Sequence, residues 1–174
     1  MSTAQNVYAC KSLSNSVLIG TVKVSLARQR PATFLTLGYQ SHTLNTFFNL
    51  LSENEVDILV DVRQNPVSRK RGFSRRFLEK SASRLGIEYY HFPCLGTPPR
   101  IRKLYSQTGN VKKALEQYEE HLRSHKKCLV ALIHTVTSKQ FCLLCLESDY
   151  TACHRSVIAH QLMEMTGCQP THLK

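Results

Sequence analysis

Acidic side chains are scarce in this sequence: its 174 residues carry 12 Asp and Glu against 23 Lys and Arg, a formal net charge of +11 at pH 7. That balance points to an acidic partner, because a positive field raises the local concentration of polyanions and speeds their association. Apolar runs of about 18 residues, the length a membrane span needs, are missing, so no membrane association is expected. The phosphate-binding patterns GxGxxG and GxxxxGKS/T are missing, as is the GxSxG nucleophile elbow. So is the Cys-x5-Arg loop of cysteine phosphatases, since Arg155 follows Cys153 by only two positions. These absences disfavour the common nucleotide-binding and hydrolase classes. A charged leader with an apolar stretch and a small-residue cleavage site is lacking too, which argues against secretion.

The sequence does contain 42% hydrophobic residues spread along its length, enough for one domain with a real core. Seven cysteines form an odd set, several of them inside apolar stretches. Free thiols in a reducing compartment, the cytoplasm, are the expectation. Residues 1–32 carry four bases and no acid among Ser, Thr, Asn and Gln, and read as an N-terminal extension, with a strand or hairpin over Val17 to Ala27 or a weak transit-peptide character.

From residue 33 to 174 the pattern is that of a single α/β domain. Thr33 to Gly38 reads as a strand, followed by a helix capped by Ser41 with Leu44, Phe47, Phe48 and Leu51 on one face. Val56 to Val60 is a short apolar strand running into Asp61 and Arg63. Ser74 is expected to cap a helix that buries Phe77, Leu78, Ala82 and Leu85 and stops at Gly86. A strand over Ile87 to Phe92, a loop from Pro93 to Pro99 and a helix over Asn110 to His125 follow, the last with Val111, Leu115, Tyr118 and Leu122 inward. Leu129 to Ile133 and Phe141 to Leu146 read as strands, the second central, and a helix then starts at Cys153 and closes at Gly167. Thr171 to Leu173 reads as a last strand. Alternating strands and helices imply a mostly parallel sheet with helices on both faces, a Rossmann-like three-layer architecture whose ligands bind outside the carboxyl ends of the strands.

That rule selects particular residues. Cys153, His154, Arg155 and Ser156 stand at a helix N-terminus, where free N–H groups favour an anion and can acidify a thiol. Glu147 stands at the end of the preceding strand on the same face as Cys145, placed to orient His154, to act as a base, or to pair with Arg63 or Arg155. Cys153, His154 and Glu147 are therefore the candidate catalytic residues. Asp61 and Arg63, two apart, share a side of their strand's extension and can pair internally. With Tyr39, Ser68, Arg69, His91, Arg155 and Ser156 they make up a candidate anion or substrate site. Lys70, Arg71, Arg75, Arg76, Lys80 and Arg84 give a basic stripe suited to nucleic acid, and Arg100 to Lys113 adds five bases without an acid. Cys142 and Cys145 look like a CxxC, but a strand sends residues three apart to opposite faces. Cys145, Cys153, His154, His91 and Cys94 match no common zinc spacing, so no resident metal is expected.

Thr36-Leu-Gly-Tyr39 with Ser41 and Thr43, Val60-Asp-Val-Arg63 with Pro66, Ser68, Arg69 and Phe73, Gly86-Ile with Tyr89 and His91, Leu95-Gly96, and Leu144-Cys-Leu-Glu147 leading to Cys153-His-Arg-Ser156 form a set of motifs. Together they resemble the family known as domain of unknown function 488, small α/β proteins, over about residues 33–170. Cys94 and Thr97 depart from the pattern that resemblance implies. It implies a fold and a site, with no reaction attached. The functional expectation is an enzyme acting on a nucleotide, a nucleic acid or another phosphate-bearing ligand. A non-catalytic DNA- or RNA-binding module and a small-anion or thiol-based sensor are the competing readings.

Overall fold

The computed structural model describes residues 33–174. The expectations for residues 1–32 lie outside the described residues. The chain runs β1 (Thr33–Gly38), α1 (Leu44–Glu53), β2 (Ile58–Asp61), α2 (Arg75–Arg84), β3 (Glu88–His91), α3 (Pro99–Thr108), α4 (Val111–Ser124), α5 (Lys126–Val136), β4 (Phe141–Cys145), α6 (His154–Thr166) and β5 (Gln169–His172), with 3-10 turns at Pro93–Leu95 and Tyr150–Ala152. The five strands form one sheet in the order β3-β2-β4-β1-β5. Every pairing is parallel, as the alternation of strands and helices implies.

Because successive strand residues face opposite sides, the sheet feeds two cores. Phe34, Ile58, Val60 and Leu143 pack with Tyr118, Leu122, Leu129 and Ile158 from α4, α5 and α6. Leu35, Leu37, Leu59 and Leu144 pack on the other face with Phe47, Leu51, Leu78 and Ala82 from α1 and α2. Cys142 and Cys145 go to different cores, as strand geometry requires. Among the described residues no helix is long and apolar enough to cross a membrane.

Several local expectations are corrected. Thr43, not Ser41, caps α1, its Oγ1 accepting from the Thr46 N–H at 3.2 Å. Ser74 occupies the N-cap position of α2, but its hydroxyl bonds the backbone of Ser68 instead of capping the helix. Phe77 and Leu85, expected inward, are 59% and 52% exposed, and only Leu78 and Ala82 of α2 are buried. Leu129 to Ile133 is part of helix α5 rather than a strand. A short apolar run is ambiguous in period, and here the helical continuation to Val136 decides it. Helix α3 follows directly on the segment expected to be a Pro- and Gly-containing loop; Pro99 sits at its first position, where a missing N–H costs nothing. Cys94 and Cys128 are joined by a disulfide that ties the Pro93–Leu95 turn to α5, correcting the all-thiol expectation at that pair. Cys142, Cys145 and Cys153 are free thiols.

The revised α2 face gives a direct check. Leu78→Ala should cost about 2–5 kcal/mol in urea unfolding, the usual loss for a fully buried Leu. Phe77→Ala should stay within roughly 0.5 kcal/mol, as for an ordinary surface position. Equal losses would contradict the assigned face.

Candidate functional site

The carboxyl ends of β1, β2 and β4 lie side by side, and their ladder continues beyond the strands. Tyr39 N–H donates to the Cys145 carbonyl at 3.1 Å, Gln40 N–H to Leu146 at 2.9 Å, and Val62 N–H to Leu144 at 3.2 Å. This brings Tyr39, Asp61, Arg63, Cys145 and Glu147 to one edge. The approach of β1 to the β4 exit is so close that a Cβ on Gly38 would stand 1.7 Å from the Glu147 carbonyl oxygen, which explains the glycine. Gly96 meets the backbone of Gln64 in the same way, its Cβ position lying 2.1 Å from the Gln64 nitrogen.

Arg155 is fully buried and donates to the carbonyls of Glu147 and Ser148, the latter at 2.9 Å. Its donors are thus turned to the β4 exit loop, and its Nε–H has no hydrogen-bond partner. Asp61 and Arg63 form the internal pair. The carboxylate accepts from Arg63 Nε at 2.8 Å, from Arg63 NH2 at 2.5 Å and from the Tyr89 hydroxyl at 2.6 Å. Burial opposes the Arg63 charge, but the hydrogen bonds and charge of Asp61 outweigh it and raise its pKa. Burial, then Asp61, likewise pushes the Tyr89 hydroxyl up. Arg63 NH1 also donates to the Tyr39 hydroxyl at 3.2 Å and the Phe73 carbonyl at 2.9 Å. Tyr39 in turn donates to Ser68 and stacks on Phe73 with ring centroids 4.5 Å apart. This is a preorganised polar bracket with most of its capacity spent internally.

Beside it, α6 delivers Cys153 and His154 to Cys145 and Glu147. Both thiols donate to one carboxylate oxygen, Glu147 Oε2, Cys145 from 2.9 Å and Cys153 from 3.0 Å. His154 Nδ1 lies 3.6 Å from the Cys145 sulfur and 3.9 Å from that of Cys153. Its Nε2 stands 3.1 Å from the Val62 carbonyl, and Tyr118 meets its ring edge-on at 5.0 Å between centroids. Cys153 is the N-cap of α6 and receives the Arg155 N–H. Burial, then the neighbouring Cys145 thiol, push the Cys153 thiol well above its ordinary pKa, the reverse of the acidification expected at a helix start. Burial would also raise Glu147, but hydrogen bonds from the two thiols hold it below the usual carboxylate range. For His154, burial lowers the pKa, while hydrogen bonding and charge from Cys153, the Glu147 charge and the Val62 carbonyl together raise it.

The site opens to a cleft of about 230 Å³ lined by Tyr39, Arg63, Gln64, Arg102, Tyr105 and Tyr118, with Cys145, Glu147 and His154 also in its wall. Of the other residues expected at the site, Ser156 bonds the Cys153 carbonyl and His91 bonds the Arg63 carbonyl. Neither these two nor Ser68, Arg69 and Arg155 belong to the cleft lining. In the basic stripe, Lys70 donates to the carbonyls of Tyr39 and Gln40, and Arg75 pairs with Glu79 at 3.8 Å. Arg71, Arg75, Arg76, Lys80 and Arg84 are exposed and outside the cleft.

The chain matches the family model described as Domain of unknown function DUF488 over residues 43–162. It belongs to that family. No curated protein and no solved structure gives a significant match. In this DUF488 chain, the matched segment includes Asp61 to Arg63 and Cys145 to Ser156, and so most of the cluster and its brackets. The cleft residues Gln64, Arg102 and Tyr105 carry no motif in the sequence that marks them as site residues. The basic run from Arg100 was visible, but without α3 there was no reason to place it against the DUF488 motifs.

The Asp61–Arg63 pair predicts a specific stability pattern. Asp61→Ala strands a buried guanidinium and should cost about 3–5 kcal/mol in denaturant unfolding, whereas Asp61→Ala with Arg63→Met should recover much of the loss. A double variant no more stable than the single one would contradict the pairing as the reason for the burial.

Proposed function

We propose that the cleft is an active site for a phosphate-bearing ligand, a nucleotide or a nucleic acid. One observation carries the reading: Glu147 and His154, proton-transfer groups held in mutual contact with two thiols, lie in the wall of a cleft that Arg102 and Tyr105 of α3 flank. Arg102 lines the cleft, and the exposed bases Arg100, Lys103, Lys112 and Lys113 lie on α3 and α4, with nothing acidic between them in sequence. A phosphate approaching this face gains Coulombic attraction, and Arg102 can meet it with a bidentate fork. Tyr105, 44% exposed, offers a flat surface on which a nucleobase can stack, and the Gln64 and Asn65 amides supply donors and acceptors for its edge. Glu147 and His154 are then nearest the chemistry, while Cys153 lies behind them and is outside the cleft lining.

The competing reading, a non-catalytic nucleic-acid module, draws on the exposed Arg76, Lys80 and Arg84 of α2. The two separate by mutation. Binding of adenosine monophosphate and of a single-stranded oligonucleotide, followed by calorimetry, should weaken about tenfold or more in Arg102→Glu, the loss of one charged hydrogen-bonding contact. Any hydrolytic turnover found with these ligands should fall about 10²–10⁴-fold in Glu147→Gln. Unchanged binding in Arg102→Glu, with binding abolished when Arg76, Lys80 and Arg84 are all reversed to Glu, would overturn the cleft in favour of the α2 stripe.

A further inference from the structure

We infer that Cys145, Glu147, Cys153 and His154 bind a divalent, thiophilic metal ion of the zinc class. Each residue offers one ligand atom, and the four atoms lie within 4.8 Å of one another. Donors placed around a tetrahedral ion at zinc distances stand roughly 3.3–3.8 Å apart. The contacts from the sulfurs to Glu147 and His154 run from 2.9 to 3.9 Å, so small side-chain adjustments close the shell without moving a strand or helix. Two thiolates, an imidazole and a carboxylate form a donor set that suits zinc better than magnesium or calcium, which prefer oxygen throughout.

A second observation, on the far side of the His154 ring, points the same way. The Val62 carbonyl stands 3.1 Å from His154 Nε2, so Nε2 carries the hydrogen and donates it. In the neutral ring that tautomer leaves the lone pair of Nδ1 facing the two sulfurs, the arrangement that outer partners impose on metal-binding histidines. The exit of β4, clamped by Arg155, fixes Cys145 and Glu147, and the N-cap of α6 fixes Cys153, so three of the donors sit on rigid supports before any ion arrives. Cys145, Glu147 and His154 line the cleft, which gives the ion a route in and gives a cleft ligand a route to the ion. On binding, the two thiols release their protons to solvent and the ion takes their place between the sulfurs and the carboxylate. This replaces the expectation of no metal. Sequence spacing suggests none because two donors come from a strand end and two from a helix start, while His91 and Cys94 are engaged elsewhere.

The inference rests on the proposed active site, moves Glu147 and His154 from proton transfer to holding the ion, and is tested without any cleft ligand. Full-length protein, reduced, stripped with chelator and desalted, is titrated with cobalt(II) and followed by absorption. The expected result is saturation at about one ion per chain, with a near-ultraviolet thiolate-to-cobalt charge-transfer band and the visible bands of a tetrahedral ion, displaced by zinc. Cys145→Ser and Cys153→Ser should each weaken these bands and the affinity at least tenfold, while Cys142→Ser, on the opposite face of the sheet, should leave both unchanged. A wild-type titration with no thiolate band would overturn the inference regardless of how the variants fold. So would an equal effect of Cys142→Ser, or a Cys145–Cys153 disulfide persisting under reduction with no metal bound. Calorimetry of adenosine monophosphate on the stripped protein reads the proposed ligand separately, so either idea can fail alone.

Discussion

Arg155 is the fixed point on which the site depends. Completely buried at the start of α6, it reaches across to the carbonyls of Glu147 and Ser148, and so binds the exit of the central strand β4 to the helix that carries Cys153 and His154. A buried guanidinium is costly unless its donors are satisfied, which makes this clamp a constraint on loop shape as much as a source of stability. Gly38 leaves the room for it, since a side chain there would collide with the same Glu147 carbonyl and approach Arg155 NH1 to 2.9 Å. Arg155, expected from the sequence in an anion site, holds the protein's own backbone.

The second arginine is similarly committed. Asp61 occupies the inner edge of Arg63, Tyr39 and Phe73 take NH1, and what faces the cleft is a guanidinium locked in orientation. Exposed bases lie instead on α2, on α3 and at the start of α4. Buried arginines therefore shape the site, and under the proposed function the exposed bases draw a ligand toward it.

The sheet, its parallel sense and the convergence of Asp61–Arg63 with Glu147 and Cys153–His154 were legible because β2 and β4 are short apolar runs ending in polar residues, and parallel topology puts those ends together. Where reading failed, the cause is local. Leu129 to Ile133 is apolar on every side and shows no period, so only its extension to Val136 marks it as a helix. Pro98 and Pro99 signal a loop, yet Pro99 starts α3, and missing that helix hid one wall of the cleft. Phe77 is apolar but lies on the exposed side of a ten-residue helix whose buried stripe is only Leu78 and Ala82. The pairing of Cys145 with Cys153 through Glu147 has no signature in spacing, because a 3-10 turn at Tyr150–Ala152 carries the chain between them.

The proposed function requires that ligands enter the cleft at the carboxyl edge of the sheet. The most direct measurement is a crystal structure of the protein soaked with a nucleoside monophosphate. The expected result is a phosphate against Arg102, the base against Tyr105, and the ligand's reactive end toward Glu147 and His154. Density for the ligand on the exposed bases of α2, with the cleft empty in the same crystal, would contradict it.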